Sequence, residues 1–348
     1  MGSDNIMHGG DIFGRDIIYD FSSNVNPLGM PENVKKALVS SVGLWERYPD
    51  SRCRELIEKL SVYENIPKEN IVCGNGADDI IFRLAQALNI NKILICAPTF
   101  GEYERAFSNA QIKRYMLYEE YDFRIREDIL NYTDNIDAVI ICSPNNPTGL
   151  IPDTDIMRKL SEKCREDNII FICDECFLDF AENSKNLSII NYFDKNIIIL
   201  KAFTKVYAMA GLRLGYAVFG DKNLAGRVRN SGQYWSVSYP AQIAGAAALD
   251  EEKYISDTVI YIRNEREYLT ENLKKLGIKT FNSAVNFILL KTDIPLYDIL
   301  LKEKILIRKC GNYSGLDDNF YRIAVRTHKE NLKLLQSIHN SQFIIHNS

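Results

Sequence analysis

The sequence predicts an α/β protein with a mostly parallel central sheet and a smaller α+β part. Three observations carry this. Short Ile-rich apolar runs recur at 92–97, 137–142, 168–173 and 196–200, each bounded by polar turns. Runs that are apolar throughout suit parallel strands buried on both faces. Helical patterns alternate with them, the clearest being TDIMRKLSEKCREDN at 154–168, an amphipathic crossover. After about residue 245 the alternation stops. KYISDTVIYIRNEREYLTENLKKLG at 253–277 reads as one long helix closed by Gly277. Strands follow near 285–291, 305–309 and 320–326, then a helix from about 328. The expected division is a large domain over 45–245 and a small domain built from 1–44 and 246–348.

Composition narrows the class. The 348 residues are 46% hydrophobic and 25% charged, as in a globular protein with a large core. Net charge is −4 and no basic stripe exists, which argues against a nucleic-acid partner. No apolar run approaches the roughly 20 residues of a membrane span. The opening MGSDNIMHGG lacks the apolar core of a secretion signal, so a cytoplasmic protein is expected. The eight cysteines sit mostly in apolar runs and do not suggest a disulfide framework. Cys173 and Cys176 have C-x-x-C spacing, but no second pair or nearby histidine completes a zinc site. His8, His328, His339 and His346 are scattered, and no metal is expected.

In open α/β sheets ligands bind beyond the carboxyl ends of the strands. The residues after each apolar run are therefore the informative ones. After 92–97 comes PTFGEY (98–103), and after 137–142 comes SPNNPTG (143–149). After 168–173 comes Asp174-Glu175. After 196–200 comes KAFTKVYAMAGLRLGY, with Thr204, Lys205 and, eight residues on, Arg213. Upstream, CGNGADDII (73–81) is a glycine turn leading into a helix. Singly each is ordinary: NNPTG is good turn chemistry, and an Asp in a first turn suits a helix start. Together they meet the needs of one cofactor. An aldehyde needs a lysine amine for a Schiff base. A phosphate needs a helix N-terminus with hydroxyl and cationic donors. A pyridine nitrogen needs a carboxylate to stay protonated, a phenolic oxygen needs a donor, and a ring face needs an aromatic partner. That cofactor is pyridoxal phosphate.

In this order, over nearly the whole chain, the motifs resemble the fold-type-I pyridoxal-phosphate enzymes of the aspartate aminotransferase superfamily. Within it the chain is similar to the histidinol-phosphate aminotransferase branch. The resemblance implies an aspartate aminotransferase-like fold, with Lys205 bonded covalently to the cofactor. It implies that Thr204 and Arg213 hold the phosphate with the backbone of Gly76, Ala77 and Asp78. It pairs Asp174 with the pyridine nitrogen, sets Asn146 on the phenolic oxygen, and stacks Tyr103, ahead of Phe100, on the ring. Lys201 is set aside, since it lacks the preceding hydroxyl and the spacing to Arg213. ERYPDS (46–51) matches the segment whose tyrosine reaches the neighbouring subunit's cofactor phosphate, so Tyr48 implies a homodimer with shared sites.

Three segments point further. HGGDIFGRDIIYDFSSNVNPLG (8–29), ILIRKCGNYSGLD (305–317) and YRIAVRTH (321–328) resemble the threonine-phosphate decarboxylases of cobalamin biosynthesis. Those enzymes convert L-threonine O-3-phosphate to (R)-1-amino-2-propanol phosphate. The same resemblance covers His8-Gly9-Gly10, Phe177 where the aminotransferases usually carry Tyr, and Arg326 where they usually carry Gly. A phosphorylated amino acid brings two anionic groups, so its site needs cations beyond Arg213. By family position Arg322 meets the carboxylate, and Arg326, Arg308, His8 and Asn26 are candidates for the phosphate end. Arg322 and Arg326 share a face only if one strand carries both without interruption. Two positions depart from the pattern: Ala202 replaces a usual Ser, and Ser238 a usual Asn. The alternative activity is histidinol-phosphate transamination with 2-oxoglutarate, which shares every cofactor contact.

Overall fold

The structure, a computed structural model, describes residues 8–346. Its thirteen strands, in chain order, are β1 Tyr19–Asp20, β2 Ile71–Gly74, β3 Lys92–Ala97, β4 Gln111–Met116, β5 Ala138–Cys142, β6 Ile170–Asp174, β7 Ile197–Ala202, β8 Gly215–Phe219, β9 Lys279–Thr280, β10 Phe287–Lys291, β11 Ile305–Leu306, β12 Arg308–Lys309 and β13 Phe320–Ala324. Seven of them form the central sheet, in the order β2-β8-β7-β6-β5-β3-β4. From β7 to β4 every pairing is parallel, while β8 runs antiparallel to both of its neighbours. The four apolar runs of the sequence are β3, β5, β6 and β7, within two residues at each end.

Alternate residues of these strands feed two separate cores. Ile197 and Ile199 face one with Leu94 and Cys96, whereas Ile198 and Leu200 face the other with Ile93 and Ile95. Both faces are thus dry, which is why these strands carry no polar alternation. The crossover helix spans Thr154–Glu166, and the Asp153 side chain caps it by accepting from the amides of Asp155 and Ile156 at 2.8 and 3.3 Å.

The long helix runs Glu252–Lys275 and stops before Gly277, whose φ of +72° is one a side chain resists. Beyond it β12-β13-β10-β9 form an antiparallel sheet, and β1 pairs in parallel with β11, joining the N-terminal segment to the C-terminal part. The strand expected over 320–326 ends at Ala324, so Arg326 lies outside it. The one expected over 305–309 is two short strands in different sheets, β11 and β12. No helix among the described residues is long and apolar enough to cross a membrane.

Candidate active site

The carboxyl ends of β5, β6 and β7 open into a cavity of about 540 Å³. Its walls include Ala77, Asp78, Tyr103, Asn146, Asp174, Thr204, Lys205, Arg213, Arg322 and His8, residues that lie up to 314 positions apart in the chain. They meet because parallel strands present their carboxyl ends on one edge.

Asp174 ends β6 and is 5% exposed. Its Oδ2 accepts from the Tyr103 hydroxyl at 2.6 Å, and its Oδ1 from the Cys176 amide at 2.9 Å. Burial pushes its pKa up, and the donors from Cys176 and Tyr103 oppose that rise. Tyr103 is wholly buried and edge-on to Phe100, which also lines the cavity. Lys205 lies in the short helix Phe203–Val206 that follows β7. Burial lowers the pKa of its amine, and Arg322 and Arg213 lower it further against the pull of Asp78. This is the nucleophile's requirement: an amine readily freed of its proton.

Lys201, four residues earlier, is a different group. Burial works against its charge, but Glu64, Glu175 and Asp179 outweigh that and hold its pKa up. Its amine lies 3.5 Å from Glu175 and 3.7 Å from Glu64.

The corner expected to cradle a phosphate is built by close approach. Gly76 precedes the helix Ala77–Ala87 with a φ of +83°, and a Cβ there would come within 2.6 Å of the Arg213 guanidinium. Gly215 brings β8 against the same turn, where a Cβ would lie 2.4 Å from the Ala77 amide nitrogen. The free amides of that helix start and the Arg213 guanidinium, paired with Asp78 at 3.1 Å, therefore share one corner with Thr204. A buried amine, a buried carboxylate and an anion corner in one cavity fit pyridoxal phosphate.

The two adjacent asparagines of SPNNPTG divide their work. Asn145 binds Pro98, Thr99 and Thr148 and holds the loop. Asn146 faces the cavity, where its side-chain oxygen accepts from Arg322. Arg322 also donates to the Ser22 carbonyl at 2.8 Å and stands opposite Arg308 in the β12–β13 register. Both arginines are buried, but Arg308 lines an adjoining cavity, where it donates to Asn312 at 2.8 Å. His8 and Gly9 line both cavities.

Two expectations are corrected. Asn26 does not reach the cavity, because its amide nitrogen donates to the Val206 carbonyl and the Thr258 hydroxyl at 2.8 and 2.9 Å. Arg326 does not reach it either. It lies past the end of β13 and pairs with Glu330 at 3.1 Å, in the first turn of the final helix. Tyr48, expected at a neighbouring subunit's site and not in this cavity, is 79% exposed and stacked on Trp235 at 4.6 Å.

Asn24 and Glu102 are among the cavity residues that escape the sequence pattern. Asn24 is 3% exposed with its side-chain oxygen unpartnered, and its only signal is its place as the first of the two asparagines in SSNVN. Glu102 sits inside PTFGEY beside the more conspicuous Tyr103.

Comparison with known proteins agrees with this geometry. The family model for aminotransferases of class I and II matches residues 16–338. A threonine-phosphate decarboxylase of Salmonella typhimurium is 36% identical, with 97% of this chain and 96% of that protein covered. A histidinol-phosphate aminotransferase of Methanosarcina mazei is 33% identical, covering 93% of this chain and 88% of that protein. The crystal structure of the histidinol-phosphate aminotransferase from Clostridium acetobutylicum superposes with a TM-score of 0.87 at 31% identity, over 93% of this chain and 99% of that one. The chain belongs to the aminotransferase class I and II family, with the aspartate aminotransferase-like fold and pyridoxal phosphate as its cofactor.

Proposed function

We propose that this enzyme decarboxylates L-threonine O-3-phosphate to (R)-1-amino-2-propanol phosphate. The observation that carries the reading is the cationic wall beyond the cofactor's own anchors: Arg322 and His8 in the cavity, with Arg308 beside Arg322 in the sheet. A substrate with both a carboxylate and a phosphate uses all three. The likeness to the Salmonella typhimurium decarboxylase supports it. Phe177 supports it as well: it lines the cavity edge-on to Phe287 and offers no donor to a phenolic oxygen.

Bound pyridoxal phosphate supplies an electron sink for the pair left at Cα when the carboxylate departs. The protein's own groups do the rest. Thr204, Arg213 and the backbone of Gly76, Ala77 and Asp78 anchor the cofactor's phosphate. Asp174 would keep a negative charge at the ring nitrogen, Asn146 would donate to the ring oxygen, and Tyr103 would pack beside the ring. Arg322 grips the substrate carboxylate, while His8 and Arg308 hold the phosphate. Anchored at both ends, the substrate would be held with its carboxylate as the group presented for departure. The amine of Lys205 would return a proton to Cα once carbon dioxide has left. Tyr48 reaches the partner's cofactor phosphate in a homodimer.

The test incubates holoenzyme with threonine phosphate alone, then with histidinol phosphate and 2-oxoglutarate. Steady release of carbon dioxide in the first supports the reading. Glutamate formation in the second with none of the first overturns it in favour of transamination.

A further inference from the structure

Of the three carboxylates that line the cavity, Asp78 is paired with Arg213 and Asp174 is proposed for the ring nitrogen, which leaves Glu102 with the wrong sign for an anionic substrate and no such task. Glu102 opens the short helix Glu102–Ala106, is 5% exposed and lines the cavity. A buried carboxylate facing a phosphorylated ligand costs affinity unless it holds something in place. Glu102 holds two basic side chains. Its Oε1 accepts from His8 Nε2 at 2.7 Å, and its Oε2 from Arg105 at 3.0 Å. The His8 ring also leans on Phe100, with centroids 5.6 Å apart. The next two residues are fixed as well. Gly9 packs so tightly on Ser22 that a Cβ would lie 2.0 Å from its carbonyl oxygen, and the Gly10 amide donates to the Ser22 hydroxyl at 2.8 Å. Residues 8–10 therefore form a strap between the two cavities, and Glu102 is its ionic fastening.

We propose that Glu102 is a specificity-determining positioning residue, holding His8 so that its second nitrogen meets the phosphate of the substrate. With Nε2 committed to Glu102, Nδ1 is the polar atom left, and no described residue bonds to it. Nδ1 donates to an anion only when the ring carries both protons. The Glu102 carboxylate is the counter-charge for that cationic ring. Arg105 shares the same carboxylate, so the trio of His8, Glu102 and Arg105 carries a net positive charge when His8 is protonated. The inference rests on the reading of a phosphorylated substrate.

The experiment measures selectivity on the holoenzyme. O-Phosphoethanolamine and ethanolamine, which differ only in the phosphate, are titrated while the absorbance of the bound cofactor is followed. Cofactor affinity is measured separately. Wild type prefers the phosphorylated probe. In Glu102→Gln and Glu102→Ala that preference falls by about tenfold to a hundredfold, the range expected for loss of a hydrogen bond to a charged group. Cofactor affinity stays as in wild type. His8→Ala shows the same fall, and the His8→Ala/Glu102→Gln double variant falls no further, because the two act as one unit. If Glu102→Ala does not fold, Glu102→Gln keeps the side chain's shape and gives the same ratio. A preference retained in Glu102→Gln while lost in His8→Ala overturns the role of Glu102 alone. A wild type that does not favour the phosphorylated probe overturns the phosphorylated-substrate reading and this inference with it.

Discussion

Asp174→Asn separates what this carboxylate does for catalysis from what it does for folding. In the folded protein the side chain is buried, with Tyr103 and the Cys176 amide donating to it at 2.6 and 2.9 Å. An asparagine can keep the bond from Cys176 through its own oxygen. Its amide then turns toward Tyr103, whose hydroxyl must accept in place of donating. Folding therefore loses little, on the order of 1 kcal/mol, and is relieved of a buried charge. Catalysis loses more. A neutral partner cannot keep the ring nitrogen protonated. The loss of that charge-assisted bond is worth about 2–3 kcal/mol, roughly a hundredfold in rate. The pH dependence carries a sign. Burial raises the carboxyl's pKa, so the folded state binds the proton more tightly than the unfolded chain. Wild-type apoprotein therefore loses stability as pH rises from the ordinary carboxyl range through the raised value. The asparagine variant lacks that loss, so its melting temperature gains on wild type over the same rise. The assay is turnover of fully loaded enzyme at saturating substrate, beside melting curves of the apoproteins. Wild-type turnover in the loaded variant would refute the electron-sink role. A variant that falls behind wild type as pH rises would refute the burial argument.

Two further outcomes are expected. Lys205→Met should leave no cofactor fixed to the chain after borohydride reduction, whereas wild type keeps it on the peptide containing Lys205. Burial lowers this amine's pKa. The unfolded chain thus binds the proton more tightly, and wild-type apoprotein gains stability as pH rises from the lowered value toward the ordinary lysine range. The methionine variant should melt higher than wild type at neutral pH, with the advantage fading as pH rises; no advantage at neutral pH counts against the buried-amine account. Tyr48→Ala removes a side chain that is 79% exposed and stacked on Trp235, so the fold should lose under about 1 kcal/mol. Sedimentation should nevertheless show weaker self-association together with weaker cofactor binding, and a fully active wild-type monomer would remove Tyr48 from the site.

The residues proposed for the cofactor's end of the cavity are legible in the sequence and those proposed for the substrate's end are not, for a physical reason. Asn146, Asp174, Thr204 and Lys205 each come within four residues of the end of a strand, and a strand buried on both faces announces itself as a continuous apolar run. Locating the run locates the residue. The substrate's end is assembled by contacts that no local pattern encodes. His8 meets Glu102 across 94 positions, and Arg308 meets Arg322 through the pairing of two strands, one of them only two residues long. Asn24 and Asn26 would face the same way in an extended strand, but β1 stops at Asp20 and the chain bends, sending Asn26 to the helix Glu252–Lys275 and leaving Asn24 at the cavity. Arg326 fails by the same mechanism at the other end of the chain, since β13 stops two residues short of it. The two ends also govern different things. Cofactor contacts are common to transamination and decarboxylation, so motifs that specify them reveal the family and leave the reaction open. Which bond at Cα stands across the ring is set by where the carboxylate and the phosphate are pinned. On the proposed reading that decision falls to Arg322, Arg308, His8 and the residue that fastens His8, so exchanges there should move the enzyme between the two reactions while Lys205, Asp174 and Arg213 stay as they are.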